Sequence, residues 1–251
     1  MKNFILFLAI FQSISVLAQE FNYSIKTTKL IEIQYSNATL IIKGHHESSI
    51  TIRRLDKQIV IDERAEGLEL VTAHPDNTGI GFYIGESNDQ LQILRQDIGK
   101  GSFEILVPDN SEIRIKEKGW FGGSVTLENV RSVDIECTNS DIDLRNIRGG
   151  SYARSTSGDI SSESIQLPID FKSISGVVSI KLDDGIRADL QVKTISGIIQ
   201  TDLDIQNTKE HKGTVMTQVG NIRKLNYKLN GGGSLVKAQS ISGRVKIITK
   251  N

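Results

Sequence analysis

Four aspartates and one arginine in the C-terminal half of the chain are of types that could do chemistry. They are Asp183, Asp184, Arg187, Asp202 and Asp204. Paired carboxylates are what glycoside hydrolysis and calcium coordination require, so these residues could form such a site if they lie on neighbouring turns of the chain. The alternative, which we favour, is that alternating strands place acidic side chains on a solvent-exposed face.

A pair of aromatic residues forms a second candidate site. The segment GWFGG at 119–123 contains Trp120, the only tryptophan of the chain, beside Phe121. On an exposed turn, such side chains can stack on sugars or insert into a partner, and aromatic anchors often carry interface energy. They can equally cap or fill a core, where each would bury apolar area worth about 1.5 to 3 kcal/mol. We favour the capping or core role.

The other reactive residue types show no pattern typical of catalysis or metal binding. His45, His46, His74 and His211 lack the His-Glu-x-x-His spacing of a zinc site. No serine lies in a Gly-x-Ser-x-Gly motif, and neither a phosphate-binding loop nor a calcium-binding nonapeptide repeat is present. The single cysteine, Cys137, is predicted to be a small buried side chain. We therefore expect no catalytic residue, no metal and no cofactor.

The chain segments that carry these residues form a sequence repeat. A Ser-Gly-x-apolar motif or a variant of it recurs about every 18 to 23 residues. The repeated glycines are Gly158, Gly176, Gly197, Gly220 and Gly243, and weaker members of the series lie at Ser140 and Gly123. Short alternations of apolar and polar residues follow, as in DIDLRNI at 141–147, and such alternation is a strand signal.

These repeats predict an all-β protein built as a parallel β-solenoid, a β-helix-like stack of coils. A coil of about 17 to 23 residues is long enough for two or three short strands joined by corners, because a strand rises about 3.3 Å per residue. Stacking coils about 4.8 Å apart buries a continuous column of Ile, Val and Leu. We expect each repeated glycine at a corner whose backbone angles a side chain would resist, with neighbouring Ser and Thr in ladders. An antiparallel β-sandwich is the less favoured alternative, since hairpin turns need not share flanking residues.

Composition and the first residues indicate the compartment. The 251 residues include 30 Lys+Arg and 30 Asp+Glu, so the chain lacks the basic charge of a nucleic-acid binder. Residues 1–18, MKNFILFLAIFQSISVLA, have the basic start, apolar run and small final residues of a secretory signal peptide. We expect an exported protein, in the periplasm, at the cell surface or outside the cell, that does not span the membrane once the signal is removed.

The predicted organisation after the signal peptide is one β-solenoid domain over residues 19–251. Its first part, 19–107, contains N-terminal strands and an excursion rich in Gly, Asn and Asp. Its second part, 108–251, is the regular repeat ladder. No linker composition forces a boundary between the two parts.

One strand–turn–strand segment and the repeat units after it carry a resemblance to a known family. The segment is FEILVPDNSEIRIK at 103–116, and the units are TNSDIDL, TSGDIS, ISGVVSI, ISGIIQT and ISGRVKI. Over about residues 30–251 the chain resembles the DUF4097 family of exported bacterial proteins, which are often labelled adhesins. The resemblance implies a solenoid-like fold and an envelope or extracellular setting, and it supplies no catalytic motif. Two units, TNSDI and TQVGNI, depart from the Ser-Gly pattern.

These observations favour a non-enzymatic, adhesin-like or structural module that presents a strand-built face to an envelope polysaccharide or a protein partner. One alternative is a carbohydrate-active enzyme, a polysaccharide lyase or hydrolase, that uses the acidic residues between Asp183 and Asp204. Another is a periplasmic accessory of envelope sensing.

Overall fold

A computed structural model describes residues 19–25, 30–56, 74–87, 90–97, 99–203, 215–219 and 222–249. The predicted signal peptide, Asp204, His211 and Gly220 lie outside these ranges, as do residues 73, 88 and 89 of the predicted excursion at 73–90, whose described part includes a strand at Phe82–Ser87. The described residues form 21 strands. They include no helix long and apolar enough to cross a membrane. The prediction of an all-β chain is confirmed.

The strands are β1 (Glu20–Ser24), β2 (Leu30–Tyr35), β3 (Ala38–His45), β4 (Ser49–Arg54), β5 (Phe82–Ser87), β6 (Gln90–Arg95), β7 (Gly101–Pro108), β8 (Glu112–Glu117), β9 (Ser124–Glu128), β10 (Ser132–Cys137), β11 (Asp141–Arg145), β12 (Ser151–Ser155), β13 (Ile160–Glu163), β14 (Ile169–Ser173), β15 (Val178–Leu182), β16 (Ala188–Thr194), β17 (Ile198–Thr201), β18 (Val215–Val219), β19 (Ile222–Leu229), β20 (Ser234–Ser240) and β21 (Arg244–Thr249).

Two long sheets contain all of these strands. Sheet A has the order β1-β4-β7-β3-β9-β11-β13-β15-β21-β17, and sheet B has the order β18-β19-β16-β20-β14-β12-β10-β8-β2-β6-β5. Each coil consists of one strand of sheet B followed by one strand of sheet A, and equivalent strands of adjacent coils pair in parallel. The predicted parallel β-solenoid is thus confirmed, with two strands in each coil.

Inward-facing side chains form aliphatic columns between the two sheets. In sheet A the parallel register aligns Val125, Ile142, Ile160, Val178 and Val245, none of which is more than 1% exposed. Strand alternation produces this arrangement, because every second residue of a strand points to the same face. Each such side chain contributes about 1.5 to 3 kcal/mol to folding through burial.

The next column in sheet A contains a polar residue. Ser162 lies between Leu144 and Ile180, is buried, and its Oγ atom has no hydrogen-bond partner among the described residues. We expect Ser162→Ala to raise the free energy of unfolding by about 1 kcal/mol, because it removes an unsatisfied buried hydroxyl. Urea unfolding measures the change. Ser161→Ala is the control, since Ser161 Oγ donates to Asp143 at 2.9 Å and its loss should not stabilise. A lower urea midpoint for Ser162→Ala than for wild type would contradict the prediction.

The spatial order of the coils differs from their order in the chain. The sequence repeat predicts that the coil containing Gly197 stacks directly on the coil containing Gly176. Instead, β20 and β21, the last strands of the chain, lie between them: β20 pairs with both β14 and β16, and β21 pairs with both β15 and β17. At the other end of the solenoid, β2 and β3 likewise lie between the β6–β7 coil and the β8–β9 coil.

Antiparallel strands extend the sheets at three of their four ends. Strands β4 and β1 follow β7 in sheet A, β5 follows β6 in sheet B, and β19 and β18 follow β16 in sheet B. Such strands protect the edges of the stack from pairing with other chains. The antiparallel pairing of β18 with β19 also corrects the sequence interpretation. The strands on either side of Gly220 are antiparallel to each other, whereas the strands that flank the other repeated glycines lie in parallel-stacked coils.

The segments that join a sheet B strand to the following sheet A strand are here called the glycine corner. A Cβ atom on Gly158 would lie 1.9 Å from the carbonyl oxygen of Ser140 in the adjacent coil, and one on Gly176 would lie 2.1 Å from that of Gly158. For Gly243 and Gly197 the corresponding distances are 2.0 Å to Gly176 O and 1.6 Å to Gly243 O. None of these four glycines has a positive φ. Close stacking of coils, and not the special backbone angles we expected, excludes a side chain there.

Hydroxyl groups complete each glycine corner. Ser155, Ser173, Thr194 and Ser240 accept a hydrogen bond from the backbone N–H of the glycine three residues later, at 2.8 to 3.0 Å. Ser173 also donates to the carbonyl of Gly158 at 3.1 Å, one coil away. These side chains satisfy corner backbone groups and so stabilise the stack.

The segments that join a sheet A strand to the following sheet B strand are here called the asparagine corner, and the sequence interpretation missed their pattern. Asn129, Asn146 and Ser164 have φ of 60°, 51° and 54°, and Gly185 occupies the equivalent turn with φ of 76°. Each is followed by Val or Ile, as in Asn129-Val130. The sequence pattern that could have identified this corner is a residue that tolerates a positive φ, such as Asn or Gly, followed by Val or Ile.

Candidate functional site

The acidic residues singled out from the sequence do not form one cluster. Asp183, Asp184 and Arg187 are exposed in the turn between β15 and β16, and Asp202 is exposed just after β17. Strand β21 lies between β15 and β17, so Asp183 and Asp202 belong to coils whose backbones are about 10 Å apart. The expectation that they lie on adjacent turns is wrong.

Asp202 has a structural role at the end of its strand. Its carboxylate accepts hydrogen bonds from the Thr249 backbone N–H at 2.9 and 3.1 Å and from the Thr249 hydroxyl at 3.1 Å. These bonds attach the outermost coil to β21. Across the described parts of the chain, no group of three or more His, Cys, Asp or Glu side chains could hold a metal ion.

The aromatic pair lies on the surface. Trp120 is 85% exposed and Phe121 is 69% exposed, in the loop that joins β8 to β9 at the glycine corner. The capping or core role that we favoured for these residues is therefore wrong. Large apolar side chains seldom remain this exposed unless they meet a partner, so the loop is the strongest candidate for a contact site.

The backbone of this loop is held closely against two neighbouring coils. A Cβ atom on Gly123 would lie 1.9 Å from the carbonyl oxygen of Ala38, and one on Gly122 would lie 2.5 Å from that of Asn139. The side-chain amide of Asn139 donates to the Trp120 carbonyl at 2.7 Å. The glycines on either side thus let the loop pack tightly while its two aromatic side chains project outward.

A polar network beneath the loop fixes it further. One oxygen of the Glu117 carboxylate accepts the backbone N–H groups of Thr138 and Asn139 at 2.5 and 2.9 Å. The other accepts the Ser140 hydroxyl at 2.7 Å, and Ser140 Oγ itself accepts the Gly123 N–H at 3.0 Å. Because these bonds to Glu117 are charge-assisted, they are among the stronger polar contacts of the molecule.

The buried end of this network is uncharged. Tyr35 donates its hydroxyl proton to Ser140 Oγ at 2.8 Å and lies 3.4 Å from Cys137 Sγ. Burial raises the pKa of the Tyr35 hydroxyl far above its ordinary value, and burial raises the pKa of the Cys137 thiol to about 12. Cys137 is therefore a protonated, buried side chain and not a reactive thiolate.

The aromatic loop is one end of a longer surface, here called the corner ridge. The ridge consists of the stacked glycine-corner segments 119–123, 138–140, 156–158, 174–176, 241–243 and 195–197, in spatial order. Backbone hydrogen bonds connect them, among them Ser175 N to Thr156 O at 3.0 Å and Ser242 N to Ile174 O at 2.8 Å. Six coils about 4.8 Å apart make a ridge about 24 Å long.

The corner ridge carries no charged side chain. None of its six segments contains Lys, Arg, Asp or Glu, although these residues make up 24% of the chain. Its outward side chains are Trp, Phe, Ile, Ser, Thr and Asn. Ile174 is 39% exposed, which continues the apolar character of the ridge away from the aromatic loop. Sequence reasoning predicted these stacked corners as structural elements and missed that their outer side chains form an uncharged surface.

Comparisons with known proteins place this geometry in context. Residues 122–224 match a family model described as Toastrack DUF4097. No curated protein gives a significant match.

Two solved structures are similar to the chain over most of its length. A "putative cell adhesion protein" from Clostridium sporogenes is 12% identical, with a TM-score of 0.48, and the match covers 93% of this chain and 100% of that one. A "putative adhesin" from Bacteroides fragilis is 14% identical, with a TM-score of 0.43, and the match covers 92% of this chain and 96% of that one.

Proposed function

We propose that this chain, whose residues 122–224 match the DUF4097 family, is an exported, non-enzymatic, adhesin-like binding module of the cell envelope. Its contact surface is the corner ridge, and its partner is an envelope protein. The observation that carries this proposal is the exposure of Trp120 and Phe121 on a loop whose backbone is held by its neighbours. Export depends on the predicted signal peptide at 1–18.

The energetics of the ridge suit a protein interface. Burying a large apolar side chain in a partner is worth about 1.5 to 3 kcal/mol, and tryptophan is over-represented among the residues that dominate binding energy. A loop that is already ordered loses little conformational entropy on binding. The centre of the ridge lacks charge while charged side chains such as Lys118 and Asp141 lie beside it, and interfaces commonly have this arrangement of centre and rim.

The enzyme alternative has less support from the arrangement of carboxylates. Asp183 and Asp202 lie on coils separated by β21. The Asp202 carboxylate also accepts hydrogen bonds from Thr249. A paired acid and base would both need carboxylates that are free to face one bound sugar. A role in envelope sensing is compatible with the ridge, since a sensing accessory would also need a protein contact.

The test compares the whole exported protein with the double variant Trp120→Ala/Phe121→Ala. Proteins captured from an envelope extract are identified, the partner is purified, and its dissociation constant is measured for both proteins. We expect the variant to bind at least about 30-fold more weakly, since loss of interface anchors costs about 2 kcal/mol or more. Tyr152→Ala, on a different surface, is the control and should bind as wild type.

Two outcomes would overturn the proposal. One is equal affinity of wild type and the double variant for every partner captured. The other is cleavage of an envelope polysaccharide by the wild-type protein that Asp202→Ala abolishes, which would establish the enzyme alternative instead.

A further inference from the structure

A groove of about 480 Å³ crosses the outer face of sheet B beside the asparagine corner. It spans the starts of β8, β10 and β12, with Leu30 and Pro168 at its two ends. Arg131, Arg148 and Gly149 come from the asparagine corner, and Arg114 and Tyr152 come from the strands. Its volume lies within the range of small-ligand sites in proteins.

The groove exists because two adjacent floor positions carry almost no side chain. The parallel register pairs Val133 with Ser151, so the preceding positions, Ser132 and Gly150, lie side by side on the outer face. A Cβ atom on Gly150 would lie 3.2 Å from Cε2 of Tyr152, so the Tyr152 ring lies close over this glycine. The ring is 44% exposed toward solvent and forms one wall of the depression.

An aromatic ring beside a glycine also helps to hold a sheet together, because the ring covers backbone that a glycine leaves bare. That role accounts for the position of Tyr152. The guanidinium groups around the same depression each pair with a carboxylate, and their remaining N–H donors together with the exposed ring suggest a ligand.

Three arginines and two carboxylates line the groove. Arg131 contacts Glu112 at 3.4 Å, and Arg114 contacts Asp134 at 3.5 Å. Arg148 contacts the Asp109 carboxylate at 3.5 Å. The Arg131 and Arg148 side chains are about half exposed, and a guanidinium has five N–H donors, so each keeps donors that a bound group can use.

We propose that this groove binds a polysaccharide built from carboxylated pyranose units. The exposed Tyr152 ring stacks on the apolar face of one pyranose, as aromatic side chains do on partly apolar ligands. Arg131 and Arg148 hold the carboxylate, since planar guanidinium groups match carboxylate geometry with paired hydrogen bonds. Each lining arginine already pairs with a carboxylate, so recognition of an acidic sugar rests on the free N–H donors of Arg131 and Arg148 and not on net charge.

The groove and the corner ridge are separate surfaces. The groove lies where β10 and β12 begin and the ridge lies where they end, about 17 to 20 Å away along the strands. The protein can therefore hold a polysaccharide in the groove and a protein on the ridge at the same time. Failure of either proposal leaves the other unaffected.

Calorimetry on the whole exported protein tests the groove. The probes are oligomers of galacturonate, of alginate and of hyaluronate, with methyl-esterified oligogalacturonate as the uncharged match. We expect at least one acidic oligomer to bind, and its methyl ester to bind at least tenfold more weakly. Arg131→Gln/Arg148→Gln and Tyr152→Leu should each weaken binding about tenfold, which corresponds to about 1.4 kcal/mol and lies in the range of charged and stacking contacts.

Control measurements distinguish variants that lose the binding site from variants that fail to fold. The three groove residues chosen for substitution, Arg131, Arg148 and Tyr152, are exposed, so the variants should retain the wild-type melting temperature. Ile198→Ala, at an exposed position of sheet A outside both surfaces, should bind the oligomer as wild type does. The proposal is overturned if none of the three acidic oligomers binds, if acid and ester bind equally, or if the groove variants bind as wild type.

Discussion

Replacing Gly243 with valine should lower the free energy of unfolding by about 3 to 5 kcal/mol. Single substitutions cause losses this large only by a few mechanisms, and overpacking of a tightly packed site is one of them. A Cβ atom on Gly243 would lie 2.0 Å from the carbonyl oxygen of Gly176 and 2.7 Å from Ser240 Oγ. Backbone atoms of one coil cannot rotate away as a side chain can. The coil would have to separate from its neighbour and lose parallel hydrogen bonds, because β20 and β21 are paired on both sides.

Urea unfolding of the whole protein measures this loss. The matched control is Ser242→Ala, whose side chain is exposed at the same corner and should change the midpoint little. Gly197→Val is a second variant that should also destabilise the protein. Gly197 lies in the outermost coil, and a Cβ atom there would lie too close to the Gly243 carbonyl oxygen. A melting transition of Gly243→Val that matched wild type would contradict the close stacking of the glycine corner.

Replacing Glu117 with alanine should lower the free energy of unfolding by about 2 to 4 kcal/mol and loosen the aromatic loop. The change removes the acceptor for Thr138 N, Asn139 N and Ser140 Oγ. Hydrogen bonds to a charged group contribute about 1.5 to 3 kcal/mol each. The expected loss is smaller than their sum, because Glu117 is half-buried and water can hydrogen-bond to some of the groups that lose their acceptor. Since Ser140 also accepts the Gly123 N–H, its displacement frees the end of the loop.

The tryptophan itself reports on the loop. Trp120 is the only tryptophan, so its fluorescence anisotropy measures motion of this segment alone. We expect a lower anisotropy for Glu117→Ala and an unchanged value for Glu136→Ala. Glu136 is the matched carboxylate, an exposed residue whose pair with Arg154 is worth at most about 1 kcal/mol. Equal anisotropy and equal urea midpoints for Glu117→Ala and wild type would show that the network does not hold the loop.

The aromatic loop shows where residue patterns stop being informative. Trp120 and Phe121 between glycines are compatible with a core plug or a surface projection, because pattern alone does not give the direction of a corner. The tight approach of Gly122 and Gly123 to adjacent backbones decides that direction and leaves both rings outside. Those contacts come from residues far away in the chain, such as Ala38.

The groove was equally inaccessible to sequence reasoning. Gly150 and Ser132 look like ordinary turn and strand residues in their own segments. They form a depression only because the parallel register places them side by side, with arginines of two asparagine corners around them.

The repeated motif by itself determined that the chain forms parallel coils, that strands alternate inward and outward, and that glycine and serine occupy one corner. These features follow from local spacing, since a period of about 20 residues and an alternation of two fix coil length and face. Only the tertiary structure decided the order of the coils. ISG at 174–176, 195–197 and 241–243 is the same at all three places, so any of these units could stack on any other. The choice depends on the antiparallel pair of β18 and β19, which extends sheet B beyond β16 and leaves the final coil to pair between β14–β15 and β16–β17.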